Sequence, residues 1–400
     1  MTTNAVSAPE TPRVANPWWA AWPVTAVFVL SNAPTPLYVL WQHRLGFSAG
    51  TLTVIFAAYI AGLLAALLVA GRASDRLSRK PVILPGVLLA LVACALFATA
   101  TSVLALAIAR LLAGIAVGIT VSAGMAAVVD VGGPARARTA TLAASTAMVF
   151  GAGLGPLLAG ALSETLPGPT VTIFVLAAVL LLTASVVVIR LPLHRPTDRA
   201  AGGGWVRVPA VPRANRRHVA LGIAVFAPGI TATSFVLSLG PALLAGVLGT
   251  SNRLLAGATA FVMFAAATGI QFAARRLEVR AILLTAATAA LACMAVLLVA
   301  VHARWVPAIV ITAILAGAAQ GLGQLGGLTM ISTHVPAHRR AEANALLNFG
   351  GYIPAALLPV GTGYLSDALG IATGTAIFAA VLAAVALTAG ALVWRHAPRS

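Results

Sequence analysis

Apolar residues in this 400-residue chain come in long runs of about twenty, separated by short polar stretches, and do not alternate with polar ones. A helix of that length, rising about 1.5 Å per residue, crosses a hydrocarbon layer about 30 Å thick. Twelve such runs are predicted: Trp18–Tyr38, Ala49–Ala70, Pro81–Ala100, Val103–Val129, Thr141–Leu162, Thr170–Ile189, Val219–Leu239, Leu254–Ala274, Ala281–Val301, Val306–Ile331, Ala343–Tyr364 and Ile371–Trp394. The first run lacks the short apolar core and small-residue cleavage site of a secretory signal and is expected to stay as a span.

One long polar stretch, Leu191–His218, rich in Pro, Gly and Arg, lies mid-chain and reads as a linker between two domains. The stretches on either side of it repeat each other at a shift of about 200 residues. Asp75-Arg76-Leu77-Ser78-Arg79-Lys80, after the second run, is echoed by Arg275-Arg276-Leu277-Glu278-Val279-Arg280 after the eighth. Leu112-Ala113-Gly114 with Gly118 is echoed by Leu315-Ala316-Gly317 with Gly321. The end of run five, Gly160-Ala161-Leu162-Ser163-Glu164, is echoed by Gly363-Tyr364-Leu365-Ser366-Asp367. The expected fold class is an all-α membrane protein of twelve transmembrane helices in two pseudo-symmetric six-helix bundles. Its expected parts are a disordered tail (1–17), a first bundle (18–190), a linker (191–218), a second bundle (219–394) and a short tail (395–400).

Composition agrees, since 60% of residues are hydrophobic and 8% charged, which leaves too little polar surface for a soluble globule. The net charge of +17 would suggest nucleic acid in a soluble protein, but here the positions of the charges speak for topology. All but four of the 25 Lys and Arg residues fall in the tails and loops that share a side with the N-terminus; Arg44, Arg253 and Arg304 fall opposite, and Arg110 lies inside run four. The positive-inside rule then puts both termini in the cytoplasm, with anionic lipid rather than nucleic acid beside the basic face. Cys94 and Cys293 sit within apolar runs, where a thiol behaves as a small hydrophobe, so no disulfide framework is expected.

The loop after run two reads Gly71-Arg72-Ala73-Ser74-Asp75-Arg76-Leu77-Ser78-Arg79-Lys80. In Gly71, Asp75, Arg76, Arg79 and Lys80 it resembles the signature of the major facilitator superfamily, with Ser78 where that family usually has Gly. The resemblance covers essentially the whole chain and implies a conformational lock, in which Asp75 sits near the start of span eleven and a loop arginine pairs with Asp130 at the end of span four. A carboxylate is favoured at a helix N-terminus and a charge-assisted pair resists opening. Gly151, Gly155, Pro156 and Gly160 in span five resemble a motif associated in this superfamily with drug–proton antiporters, with Ala159 replacing one Gly. Ordinary small-residue packing would account for the same glycines.

Two other matches are set aside. Gly321-Leu322-Gly323-Gln324-Leu325-Gly326 fits a dinucleotide fingerprint but lies inside an apolar run, with no strand before it. Gly46-Phe47-Ser48-Ala49-Gly50 fits a nucleophile elbow, yet Ser48 reads better as the cap of the second span, which makes an intramembrane hydrolase a distant alternative.

Polar side chains in lipid spans usually face a cavity or a partner helix. Asn32, Tyr59, Gln320, Gln324, Asn348 and Tyr352 fall on spans that line the substrate cavity in the resembling family, and suggest a neutral, weakly polar site. Arg110 is the one charge well inside a run; it can bind an anionic substrate, tune a polar or water network, or snorkel outward. Arg110-Leu111-Leu112-Ala113-Gly114 resembles the span-four motif whose arginine is linked to proton coupling, although none of the eight acids lies at membrane depth. The expectation is therefore a transporter, not an enzyme. It would export small amphipathic or apolar compounds from a bacterial cytoplasm across the inner membrane, coupled to protons and acting as a monomer, with no metal or other cofactor. The alternatives are an importer of an organic anion that pairs with Arg110, or a membrane sensor.

Overall fold

The computed structural model describes residues 16–193, 211, 213–336 and 339–397. Twelve helices in it are long and apolar enough to span a membrane. They are α1 (Pro17–Leu45), α2 (Ala49–Leu77), α3 (Lys80–Ala98), α4 (Val103–Gly132), α5 (Ala137–Thr165), α6 (Thr172–Arg190), α7 (Arg216–Gly246), α8 (Arg253–Ala274), α9 (Val279–His302), α10 (Val306–His334), α11 (Arg340–Leu369) and α12 (Ile371–His396). The expected tail 1–17 and linker 191–218 lie mostly outside the described residues.

Several helices start where a short polar side chain precedes an apolar run. Ser48 accepts a hydrogen bond from the Thr51 amide at 3.2 Å, Ser102 from Ala105 at 3.2 Å and Asn252 from Leu255 at 2.8 Å. Each satisfies a backbone donor that has no partner within its own helix. Ser48 is thus a helix cap, as its place predicts.

The helices overrun several apolar runs by a turn or so, because residues such as Arg216 and His334 continue the backbone ladder although they do not belong in lipid. The largest difference is in α1, expected to stop at Tyr38. The chain breaks at Asn32, passes through a 3-10 turn at Thr35–Leu37, and resumes as a helix over Tyr38–Leu45. Pro34 and Pro36 offer no amide to the ladder, which explains the break; Gln42, His43 and Arg44 conceal the resumption from a hydropathy reading.

The internal repeat has a physical counterpart. A Cβ added to Gly114 would collide with the Tyr59 carbonyl, and one added to Gly118 would sit 2.7 Å from the Leu63 carbonyl, so α4 lies backbone to backbone on α2. In the second half, Gly317 meets the Met263 carbonyl and Gly321 the Ala267 carbonyl, setting α10 on α8 in the same way. Aromatic rings fill the space between helices at the end remote from the termini. Trp41, Phe97 and Phe174 of α1, α3 and α6 stack with centroids 5.0–6.1 Å apart, and Phe235 of α7 stacks on Phe378 of α12 at 4.3 Å.

Buried apolar residues of α1–α6 form one cluster, and most of α7–α12 form a second. Phe56 and Ile60 of α2 belong to the second cluster, and Tyr59 and Tyr352 pack against both, so the two bundles meet where α2 faces α11. A further contact joins α5 to α8, where a Cβ on Gly257 would strike the Pro156 carbonyl.

Gly317→Val should force α10 off α8 and lower stability by about 1–3 kcal/mol, the usual range for overpacking. Gly390→Ala should not, since its added methyl meets nothing nearer than the Ala287 Cβ at 3.4 Å. Thermal unfolding of both variants in detergent checks this; equal melting temperatures would contradict the packing account.

Candidate functional site

Arg110 lies in the middle of α4 and is fully buried. Its Nε donates to the Tyr38 hydroxyl and its Nη1 to the Ser31 carbonyl at 2.5 Å, both in α1. That carbonyl lies at the break in α1. Three rings surround the guanidinium, with its carbon 5.2 Å from the Tyr38 centroid, 5.3 Å from Phe56 and 5.6 Å from Tyr59. Such faces attract a desolvated cation but do not neutralise it. Nη2 is buried with no hydrogen-bond partner, and no carboxylate among the described residues pairs with the group. The side chain is held inward against α1 and α2 rather than snorkelling to a membrane surface.

The other polar residues expected at depth have varied surroundings. Asn32 is buried, and its Nδ2 donates to the Ser31 hydroxyl at 3.2 Å. Tyr59 lies near Ser31 and Arg110, and Tyr352 approaches it from the opposite bundle while packing edge-on to Phe226 at 6.5 Å. Asn348 donates to the backbone of its own helix, at Asn344, 3.0 Å away. Gln320 and Gln324 are half-buried in α10. Among the described residues, the Gln320 Oε1 and Asn344 Oδ1 are buried without hydrogen-bond partners, like the Arg110 Nη2. Buried polar atoms are nearly always satisfied, so these three mark where a partner belongs.

At the end that carries the termini, Arg79 Nε pairs with Asp130 Oδ2 at 2.9 Å, and Arg79 Nη1 donates to the Ser74 hydroxyl at 2.7 Å. Lys80 Nζ donates to the Ile189 carbonyl at 2.8 Å. All these partners belong to the first bundle, so in this conformation they brace the loop against its own half. Asp130 reaches Arg79 from beyond a π-helical turn, Thr120–Gly124, within α4; the extra residue of such a turn rotates the remainder of the helix by about 100°. The side chain of Asp75 lies outside the described residues. Arg72 and Arg76 are engaged in the same region, while Gly71 has open space where its Cβ would be.

The contacts that cross between bundles gather at the opposite end. Asp367, at the end of α11, accepts the amides of Ala49 and Gly50, the first residues of α2, at 2.9 Å each. Glu164, at the end of α5, accepts the Arg253 amide at the start of α8 at 2.8 Å, and also its guanidinium at 3.0 and 3.1 Å. Each acid thus caps a helix of the other half, where the N-terminal dipole favours negative charge. The four glycine and proline positions of the α5 motif divide between packing inside the first bundle and the joint to α8. Gly151 and Gly155 admit the backbone of α1, Gly160 meets the Arg253 carbonyl, and Pro156 presents its carbonyl to Gly257.

Inspection of the sequence pairs Glu164 with Asp367 in the repeat without assigning either a role; their positions at helix ends facing helix starts are a tertiary fact. Tyr38 and Phe56 leave no trace, since one aromatic among apolar residues looks like any other.

Comparison with known proteins agrees with this architecture. A 100-residue stretch is 37% identical to the Multidrug resistance protein MdtL of Escherichia coli, and equally to that of Shigella boydii; the match takes in 23% of this chain and 25% of the relative. The chain therefore matches about a quarter of the length of these curated relatives. Among solved structures, the nucleoside transporter NupG superposes with a TM-score of 0.74 at 14% identity, over 94% of this chain and 100% of that one. A bacterial homologue of the human lysosomal transporter Spinster, inward-facing and unoccupied, gives 0.73 at 14% identity over 96% and 98%. The Major Facilitator Superfamily is matched over residues 21–306 and 271–400, and together with twelve spans in two related bundles this makes the chain a multi-pass membrane transporter belonging to that superfamily.

Proposed function

We propose that the protein exports small amphipathic or apolar organic compounds by alternating access, driven by inward proton flow. The observation that carries this reading is the asymmetry of the joints. The bundles are latched at the end remote from the termini by Asp367 and Glu164, whereas nearer the termini α5 and α8 part to leave an open cleft of about 370 Å³. Two bodies held at one end and parted at the other are what a rocking carrier requires. With both termini cytoplasmic, as the arginine distribution argues, this is an inward-facing form. Residues 18–190 and 219–394 are the moving bodies and 191–218 their tether.

The cavity polar groups Asn32, Tyr59, Gln320, Gln324, Asn348 and Tyr352 are neutral, which favours weakly polar compounds. The α5 motif and the local similarity to a multidrug resistance protein support the outward direction. Gly71, Asp75, Arg76, Arg79, Lys80 and Asp130 form the opposite lock, made when the terminus-bearing end closes. Arg110 serves coupling by setting the potential of the water and tyrosine network around it. The second reading, import of an organic anion, is favoured by that same guanidinium, since its Nη2 has no partner.

In proteoliposomes carrying an imposed proton gradient, a panel of lipophilic cations, neutral amphiphiles and organic anions should show extrusion of the first two classes. Gradient-driven uptake of anions alone would favour the importer.

Arg110→Ala should abolish transport with normal membrane insertion, and Arg110→Lys should restore little, because an ammonium cannot reproduce the planar fork that reaches Tyr38 and Ser31 together. Full transport by Arg110→Ala would remove the residue from the mechanism.

Glu164→Ala combined with Asp367→Ala removes two caps worth about 1 kcal/mol each, enough to shift the population at least about tenfold toward the form open at that end. Paired spin labels on the adjoining ends of α5 and α8 should report a longer distance. An unchanged distribution would show that the glycine contacts alone hold the latch.

A further inference from the structure

Between α5 and α8, on the half nearer the termini, lies an open cleft of about 370 Å³. Leu142, Thr146 and Phe150 line it from α5, and Ala265, Gly269 and Phe272 from α8. It closes where Gly153 meets Phe261, at 3.1 Å from an added Cβ; beyond that point the two helices stay in contact through Pro156 and Gly257. From Leu142 to Gly153 a helix rises about 16 Å, close to half of a hydrocarbon layer about 30 Å thick. The cleft is therefore about one leaflet deep.

Its mouth is cationic. Arg138 stands one helical turn before Leu142, with Arg136 beside it, and Arg275 and Arg276 follow Phe272 by about a turn. All four are exposed, and none forms an ion pair among the described residues. The nearest acid in sequence is Glu278, also exposed, in the turn after α8. An apolar slot one leaflet deep beneath four unpaired guanidiniums complements a single kind of occupant from the surrounding bilayer.

We propose that this cleft is a binding site for an anionic phospholipid, with an acyl chain between α5 and α8 and the phosphate on Arg138, Arg275 and Arg276. The lipid props the two bundles apart on this side while they remain latched at the other. The inference concerns lipid contact only and stands apart from the direction and substrate of transport. Each guanidinium near a phosphate adds attraction, and three together should favour phosphatidylglycerol over phosphatidylcholine by at least about tenfold.

The test places p-benzoylphenylalanine at Phe272 in the full chain. The protein is reconstituted in equal parts phosphatidylglycerol and phosphatidylcholine with matched acyl chains, irradiated, and analysed by mass spectrometry of the adducts. The same group at Leu88, on the exposed face of α3, serves as the reference. The expected result is at least about tenfold enrichment of phosphatidylglycerol at position 272 and little at position 88. The enrichment should vanish in the triple variant Arg138→Gln, Arg275→Gln, Arg276→Gln. Gly269→Phe, which fills open space, should cut adducts of both lipids at 272 several-fold. Equal labelling at 272 and 88, a preference that survives the triple variant, or protein–protein adducts that rise with protein density and replace lipid would each overturn the proposal.

Discussion

A glycine on one helix set against a backbone carbonyl of the next is the contact on which this bundle depends. In lipid, apolar side chains gain little by leaving the solvent for one another, so helices associate through close packing. The packing here is as close as backbones allow. Gly114 on Tyr59, Gly155 on Val29, Gly257 on Pro156 and Gly321 on Ala267 are all sites where one methyl group would collide with a carbonyl oxygen. Alanine-rich faces continue these contacts between the glycines. Hydrophobicity places the segments in the membrane, and the absence of side chains at chosen points decides which segments touch.

The same device holds the joints between the bundles as well as the contacts within them, with one addition. Within each bundle, α2 on α4 and α8 on α10 need nothing beyond glycine. Between bundles, α5 on α8 and α2 on α11 add a carboxylate from each helix end to the amides of the helix it meets. A glycine contact without polar groups has short range and no preferred partner once opened, whereas a charge directed at a helix N-terminus restores register on closing. The internal repeat places Glu164 and Asp367 at corresponding helix ends, which makes the two joints equivalent.

The twelve spans, the duplication and the family were legible because each rests on a pattern many residues long. Boundaries were less so. The break at Asn32 and the helical resumption at Tyr38 depend on three or four residues whose hydropathy argues against a span, and the π-helical turn at Thr120–Gly124 has no compositional mark. Of the site, Arg110 was visible because a lone charge in an apolar run is conspicuous. Its surroundings were not, since Ser31, Tyr38, Phe56 and Tyr59 are brought to it by the packing of α1 and α2 on α4. The cleft between α5 and α8 is likewise a property of divergence between two helices, and a sequence read one helix at a time does not contain it.

The distribution of charge by depth fits a division of labour in the transport cycle. Titratable carboxylates are costly in lipid and must meet water to exchange protons, and in this chain the described ones stand at helix ends, on the latch or on the loops. The one charged residue inside an apolar run is Arg110, which stays charged at any physiological pH. Tyr38 and the Ser31 carbonyl hold the guanidinium in place, so its charge is a constant feature of the space among the rings. On the proposed reading, the acids at the helix ends hold the joints and the buried guanidinium serves coupling. A buried carboxylate beside Arg110 would neutralise that group; among the described residues it has aromatic rings around it instead, which leave its charge uncompensated.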